Sequence, residues 1–200
     1  MAQDALTLLK DDHKELEALF KKFESAGPRA HKSKRTLVDK MIRELSVHAA
    51  VEEQVLYPVT RQLFEDDLGS DVLEALEEHL AAKRLLADLD GMDPQHERFD
   101  AKVTVLMESV RHHVEEEEKE LFPELKKRIK PAARQELGGI IAEAKKVAPT
   151  RAHPNAPDEP PGNTVATSVA ALLDRARDAG AAAVGGAKAG VRAGARKARS

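Results

Sequence analysis

One short pattern occurs twice in this chain and restricts what it can fold into. His48-Ala-Ala-Val-Glu52-Glu-Gln-Val-Leu-Tyr-Pro58 returns as His113-Val-Glu-Glu-Glu117-Glu-Lys-Glu-Leu-Phe-Pro123. Each copy holds a histidine, a glutamate four residues later and an aromatic–proline pair at the same distance. Residues four apart share one face of a helix, so His48 and Glu52 converge, as do His113 and Glu117. Two such pairs on facing helices bring imidazole and carboxylate groups together in a helical interior. That ligand set suits iron, manganese or zinc.

The remaining apolar periodicity supplies the helices. Leu6, Leu9, His13, Leu16, Phe20 and Phe23 mark a first helix over residues 4–23, ended by Gly27 and Pro28. Leu37, Met41, Leu45, His48, Glu52 and either Val55 or Leu56 trace a second, beginning near Ser33 or Lys34. Pro58 should kink or end it, with a short continuation to Phe64 and a turn over residues 67–70. Val72, Leu76, His79, Leu80, Lys83 and either Leu86 or Leu89 line a third helix over 71–89. Val103, Leu106, Val110, His113 and Glu117 line a fourth over 95–123, and Pro131 opens a short fifth reaching Ala148. His13 and His48 are 35 residues apart, and His79 and His113 are 34 apart. The chain therefore reads as a duplicated helical hairpin. The expected fold is all-α, an up-and-down four-helix bundle over residues 1–148 with a short fifth helix.

Aromatic residues make up only 3% of the chain, so Leu, Val, Ile and Ala must fill the core, which favours packed helices over a sheet sandwich. Without cysteine there is no disulfide, thiolate ligand or cysteine nucleophile. No apolar run reaches the roughly 18 residues of a membrane span, and the acidic N-terminus does not read as a signal peptide. A cytoplasmic protein without a membrane role is expected.

Charge is divided unevenly. Residues 1–150 carry 24 Lys/Arg against 31 Asp/Glu, and residues 151–200 carry 8 against 4. Five prolines in residues 149–163 mark a linker, and residues 164–200 form a weakly helical or disordered tail rich in Ala, Gly, Arg and Lys. Arg175, Arg177, Lys188, Arg192, Arg196, Lys197 and Arg199 offer weak contact with nucleic acid, without an aromatic partner for stacking.

The candidate metal ligands are His13, His48, Glu52, His79, His113 and Glu117. Buried carboxylates are costly unless paired or metal-bound, and Glu52 and Glu117 both fall on the inward stripe. In the run Glu115–Glu118 only Glu117 has a matching ligand position in the other repeat; the others read mainly as a solvated face. Glu53 and Glu118 are candidates to accept hydrogen bonds from ligand imidazoles. His112 competes with His113 but reads as a rim residue, while His31, His96 and His153 read as exposed or in the linker. Lys83, one turn beyond His79, either snorkels to solvent or tunes the open side of the pocket. Tyr57 reads as a packing residue at the bundle end.

The segments Asp11-Asp-His-Lys-Glu-Leu16, His48-Ala-Ala-Val-Glu-Glu53 with Tyr57-Pro58, Glu77-Glu-His-Leu-Ala-Ala-Lys83 and His112-His-Val-Glu-Glu-Glu-Glu118 with Phe122-Pro123 resemble the bacterial hemerythrin-like HHE cation-binding proteins. The resemblance covers roughly residues 4–130. It implies a bundle holding two non-haem irons with an oxo or hydroxo bridge. By that resemblance His13, His48, His79 and His113 would be terminal ligands, with Glu52 and Glu117 bridging. Oxygen-carrying members have a fifth histidine one turn past the third; Lys83 stands there in this chain. The expected function is binding or sensing of dioxygen, nitric oxide or peroxide. Iron storage, iron(II) oxidation or peroxide removal are alternatives, as is a metal-containing interaction protein whose tail associates with nucleic acid.

Overall fold

The structure, a computed structural model, describes residues 2–64 and 67–155, with the backbone alone at Asp67 and Leu68. The expected linker beyond residue 155 and the basic tail lie outside the described residues. Seven α-helical segments, and no strand, occur among them: α1 (Ala5–Glu24), α2 (His31–Val51), α3 (Tyr57–Leu63), α4 (Asp67–Leu89), α5 (Phe99–Glu116), α6 (Phe122–Arg128) and α7 (Pro131–Val147). α1, α2 with α3, α4, and α5 with α6 run up and down as the four long members, and α7 is a fifth lying against α1 and α2. None of the described helices is long and apolar enough to cross a membrane.

Local chemistry accounts for most of the boundaries. Asp4 caps α1 by accepting a hydrogen bond from the Leu6 amide at 3.0 Å. Gly91 turns the chain after α4 with φ +71°, a left-handed conformation that glycine adopts without a Cβ clash. Residues 67–70, expected as a turn, instead form the first turn of α4. Residues 95–98, expected in the fourth helix, precede it in consecutive turns held by Asp93, whose side chain accepts from the Gln95 amide at 2.8 Å.

Pro58 neither ends nor breaks its helix. Between α2 and α3 the chain makes one wide π-turn over Glu52–Leu56, in which the Tyr57 amide donates to the Glu52 carbonyl five residues back. Proline has no amide and its ring crowds the carbonyl four residues earlier, and the widened turn relieves both. The second repeat does the same over Glu117–Leu121, with Phe122 donating to Glu117 and Pro123 following. Each π-turn starts on the glutamate of the repeated pattern.

The buried apolar residues fall into two clusters. One gathers Leu6, Leu9, Val55, Leu56, Val72, Leu125 and Leu137 near the proline ends of the long helices. The other gathers Leu16, Phe20, Met41, Leu45, Leu86, Phe99 and Leu106 toward the opposite end. Along every long helix the histidine separates the two, so that His13, His48, His79 and His113 form a polar layer across the bundle. α7 closes one side. Arg134 donates from Nε to Asp4 at 2.7 Å and from Nη1 to the Ile129 carbonyl at 2.7 Å, tying the start of α1 to the chain leaving α6.

Candidate metal centre

The helical spacing of the repeated pattern carries His48, Glu52, His113 and Glu117 into this layer, and α1 and α4 contribute His13 and His79. All six residues are 6% exposed or less. The imidazoles form two pairs: His13 with His48, ring centroids 4.9 Å apart, and His79 with His113, 4.6 Å apart. Each pair comes from one repeat.

The two glutamates span the pairs. Glu52 Oε2 lies 3.1 Å from His48 Nε2 and 3.5 Å from His79 Nε2. Glu117 Oε2 lies 3.4 Å from His13 Nε2 and 3.7 Å from His113 Nε2. Two groups of potential ligand atoms result, each compact enough for one cation: His13, His48, Glu52 and Glu117; and Glu52, His79 and His113.

Every imidazole turns its other nitrogen to a carboxylate. His13 Nδ1 faces Glu118 at 2.9 Å, His48 faces Asp12 at 3.4 Å, His79 faces Glu53 at 3.1 Å and His113 faces Glu78 at 2.7 Å. The arrangement follows the duplication. His13 and His79 reach the residue after the glutamate of the other repeat, while His48 and His113 reach the residue before the first histidine of their own. Glu53 and Glu118 were candidates for this role from the sequence. Asp12 and Glu78 were missed, although an acidic residue directly before each of His13 and His79 was the available signal.

These contacts decide what the centre can hold. A neutral imidazole donating from Nδ1 to a carboxylate presents a lone pair at Nε2. Four lone pairs then point inward with two carboxylates; His79 Nε2 and His113 Nε2 are only 3.0 Å apart. His13 Nε2, His48 Nε2, both Glu52 oxygens and Glu117 Oε2 are buried without a hydrogen-bond partner. Leaving so many acceptors desolvated costs about 1–3 kcal/mol each, and a cation between them is the common remedy. The all-nitrogen and oxygen donor set fits iron, manganese or zinc.

The electrostatics of the chain alone are consistent with that fit. Burial and the neighbouring Glu117 charge raise the Glu52 carboxyl well above its ordinary range. Burial works the same way on Glu117, but the close approach of His13 Nε2 and the His113 and His13 imidazoles beside it outweigh burial and hold its carboxyl below the ordinary range. The pair thus shares one proton, kept on Glu52. Burial lowers His48 to about 4 and also lowers His79. Burial also opposes the charged form of His113, but its bond to Glu78 together with the charges of Glu117, Glu78 and Glu116 outweighs burial and moves it up.

Lys83 is buried, and its ammonium goes to Glu53 at 2.9 Å and not out to solvent. Tyr57, expected as simple packing, sits with its hydroxyl in the layer. It donates to Glu117 Oε1 at 3.1 Å and lies 3.4 Å from His79 Nε2. Its equivalent, Phe122, stacks on His13 with centroids 5.8 Å apart. A cavity of about 30 Å³ adjoins His48, His79, His113 and Lys83, walled by Leu45, Ala49, Ala82, Leu86 and Val110. His112 is at the rim, 64% exposed, while His96 and His153 are exposed and remote. His31, expected to be exposed, is half-buried and contacts the Pro94 carbonyl at 3.2 Å.

Known proteins resemble this chain in sequence and in fold. The sequence model of the hemerythrin HHE cation binding domain matches residues 4–125. An uncharacterized hemerythrin-like protein of Schizosaccharomyces pombe is 32% identical over 171 residues, covering 84% of this chain and 81% of its own. A DNA nickase of Nostoc is 26% identical over 122 residues, covering 61% of this chain but only 33% of the nickase. Among solved structures, a hemerythrin HHE cation binding domain-containing protein from Mycobacterium kansasii superposes with a TM-score of 0.60. The two share 23% identity, over 72% of this chain and 86% of that one.

Proposed function

The chain belongs to the hemerythrin HHE cation-binding domain family, and from that premise we propose that it is a non-haem di-iron protein that binds or senses a small oxidant: dioxygen, nitric oxide or peroxide. The observation carrying this reading is the convergence of buried ligand atoms, five of them without a hydrogen-bond partner, into two groups that share Glu52. Two irons held by His13, His48, His79, His113, Glu52 and Glu117 would supply a redox-active Lewis acid.

The chain's own residues do the rest. Asp12, Glu53, Glu78 and Glu118 hold the four imidazoles in one tautomer and orientation. Tyr57 keeps its hydroxyl proton directed at Glu117 Oε1, because burial and the Glu117 charge push its phenol pKa well above the ordinary value. The cavity beside His79 and His113 has space for about one water-sized molecule. Its small volume and largely aliphatic side, Leu45, Ala49, Ala82, Leu86, Val110 and Val114, suit a small neutral ligand and leave no space for larger substrates. That size supports a diatomic or peroxide ligand. Bulk iron storage would need space beyond two ions.

Metal analysis of untagged protein, followed by absorption spectra of the reduced form before and after exposure to air, nitric oxide or peroxide, tests the proposal. About two irons per chain and a spectrum that responds to one of these ligands are expected. One zinc, or no metal after purification with iron supplied, would overturn it.

A further inference from the structure

Three of the four carboxylates that orient the imidazoles are themselves paired with lysine. Lys83 holds Glu53, Lys145 holds Asp12, and Lys10 lies 3.4 Å from Glu118. Glu78 is the exception: among the described residues no lysine or arginine pairs with it. It opens instead onto a pocket of about 60 Å³ between α4 and the end of α5, with space for a cation and a water or two. Glu74, Glu116 and Glu120 also line this pocket, and no described lysine or arginine does.

The inner wall of the pocket belongs to the centre. His113 and Glu117 line it, and Glu117, 2% exposed, has the partnerless Oε2 described above. Its outer rim carries a second set of ligand atoms. His112 Nε2 lies 3.2 Å from Glu116 Oε1 and 3.9 Å from Glu78 Oε1, an imidazole and two carboxylates compact enough to hold one cation. Glu78 therefore touches both places, with one oxygen toward His112 and the other on His113 Nδ1 at 2.7 Å.

We propose that this pocket is the entrance for ferrous iron, and that Glu78, His112 and Glu116 form a transit site from which the ion passes to His113 and Glu117. The inference rests on the reading of the bundle as an iron protein, and adds the route by which iron arrives. A narrow cleft of one charge sign concentrates counter-ions and speeds their capture. The larger groove between α1 and α5, which reaches His13, is the competing route. It is lined by Lys14, Lys21, Arg111 and Lys119 against Glu17, Glu115 and Glu118, so it offers a divalent cation no net attraction.

The test is the rate at which metal-free full-length protein takes up ferrous ion without oxygen, followed as loss of free iron to a chromogenic chelator. Two double variants, H112A/E116Q and E74Q/E120Q, alter exposed or rim positions and leave Glu78 in place on His113. Each should slow uptake about tenfold and weaken its dependence on salt, while the final iron content and the melting of the metal-free chain match wild type. Unchanged rates in both variants would overturn the entrance, as would slowing by E115Q in the α1–α5 groove alone. A wild-type chain that takes up no iron would instead overturn the iron reading itself, and the route with it.

Discussion

Lys83 Nζ lies 2.9 Å from Glu53 Oε1, the oxygen that also faces His79 Nδ1 at 3.1 Å. The lysine therefore acts on the centre through a carboxylate, and its stem walls the small cavity beside His79. Since both partners are buried, removing the cation alone leaves Glu53 charged and uncompensated. Lys83→Met should destabilise the metal-free bundle by about 3 kcal/mol and weaken metal affinity about tenfold. The double change K83M/E53Q should recover most of the stability, because a neutral amide still accepts from His79 without needing a cation. Urea denaturation of the three proteins checks this; an equal loss in both variants would contradict it.

Glu52 belongs to both ligand groups, and Glu117 reaches imidazoles of both pairs. Glu52→Ala and Glu117→Ala should therefore each reduce bound metal from two ions per chain to one or none. Glu115 pairs with Lys119 on the surface, its side chain 58% exposed, and Glu115→Ala should leave metal content unchanged. Equal metal content in all three variants, measured by elemental analysis, would defeat the ligand assignment.

Much of this was legible because the centre is built on an α-helical period. His48 and Glu52, four apart, lie on the face the spacing assigns them, and the histidines fall on the apolar stripes. What the period could not give was the π-turn. From Glu52, Tyr57 is five residues on, about 140° round an α-helix and so off the inward face. The widened turn, which places the Tyr57 amide under the Glu52 carbonyl, brings its side chain back inside. The ambiguity between Val55 and Leu56 on the inward stripe was the trace of it, since both are fully buried. Asp12 and Glu78 were hidden for another reason. Their partners come from the packing of α1 on α2 and of α4 on α5, which no spacing within a single helix reveals.

The stability of the metal-free chain should fall on both sides of a middle pH. The folded state holds His48 near pKa 4 by burial, against an ordinary 6.5. Between those values the unfolded chain takes up a proton that the folded chain refuses, so stability drops as pH falls through this window, by about 3 kcal/mol. Burial of His79 adds in the same direction. Glu52 has the opposite sign: with its pKa raised, its contribution is complete below 4.5 and is lost as pH rises toward the folded value. Metal needs the Glu52 carboxylate ionised, so binding should release its proton. Denaturant titrations from pH 4 to 9 should show the alkaline decline in the metal-free form and not in the loaded form. A decline persisting with metal bound would refute the link to Glu52.

Gly138 is where α7 meets the N-terminal segment most closely. A methyl group there would collide with the Gln3 carbonyl oxygen and stand 2.9 Å from the Ala5 amide nitrogen. Gly138→Ala should therefore cost about 1–3 kcal/mol and loosen the Lys145 contact that braces Asp12 behind His48. At neighbouring Gly139 the added methyl would meet only the Ala2 side chain at 3.6 Å. There the helix gains a better former, and Gly139→Ala should stabilise by about 0.5–1 kcal/mol. Thermal melting of the two variants should move in opposite directions.

Tyr57→Phe separates the hydroxyl from the ring. The second repeat already places phenylalanine at the equivalent position, so the ring should pack without a cavity. The hydrogen bond to Glu117 Oε1 is lost, with the longer approaches of the hydroxyl to His79 Nε2 and His113 Nε2. Glu117 then keeps its charge in a buried layer with one donor fewer, and the metal-free chain should lose about 1–3 kcal/mol. A metal held by Glu117 would neutralise the same carboxylate, so the loaded chain should lose less and still hold two ions. The comparison of melting temperatures with and without metal measures this difference, and elemental analysis measures the ions. A fall to one ion per chain would make the phenol oxygen part of the donor set, as its 3.4 Å separation from His79 Nε2 would permit. An unchanged stability of the metal-free chain would mean that Glu117 finds its proton donor elsewhere in the layer.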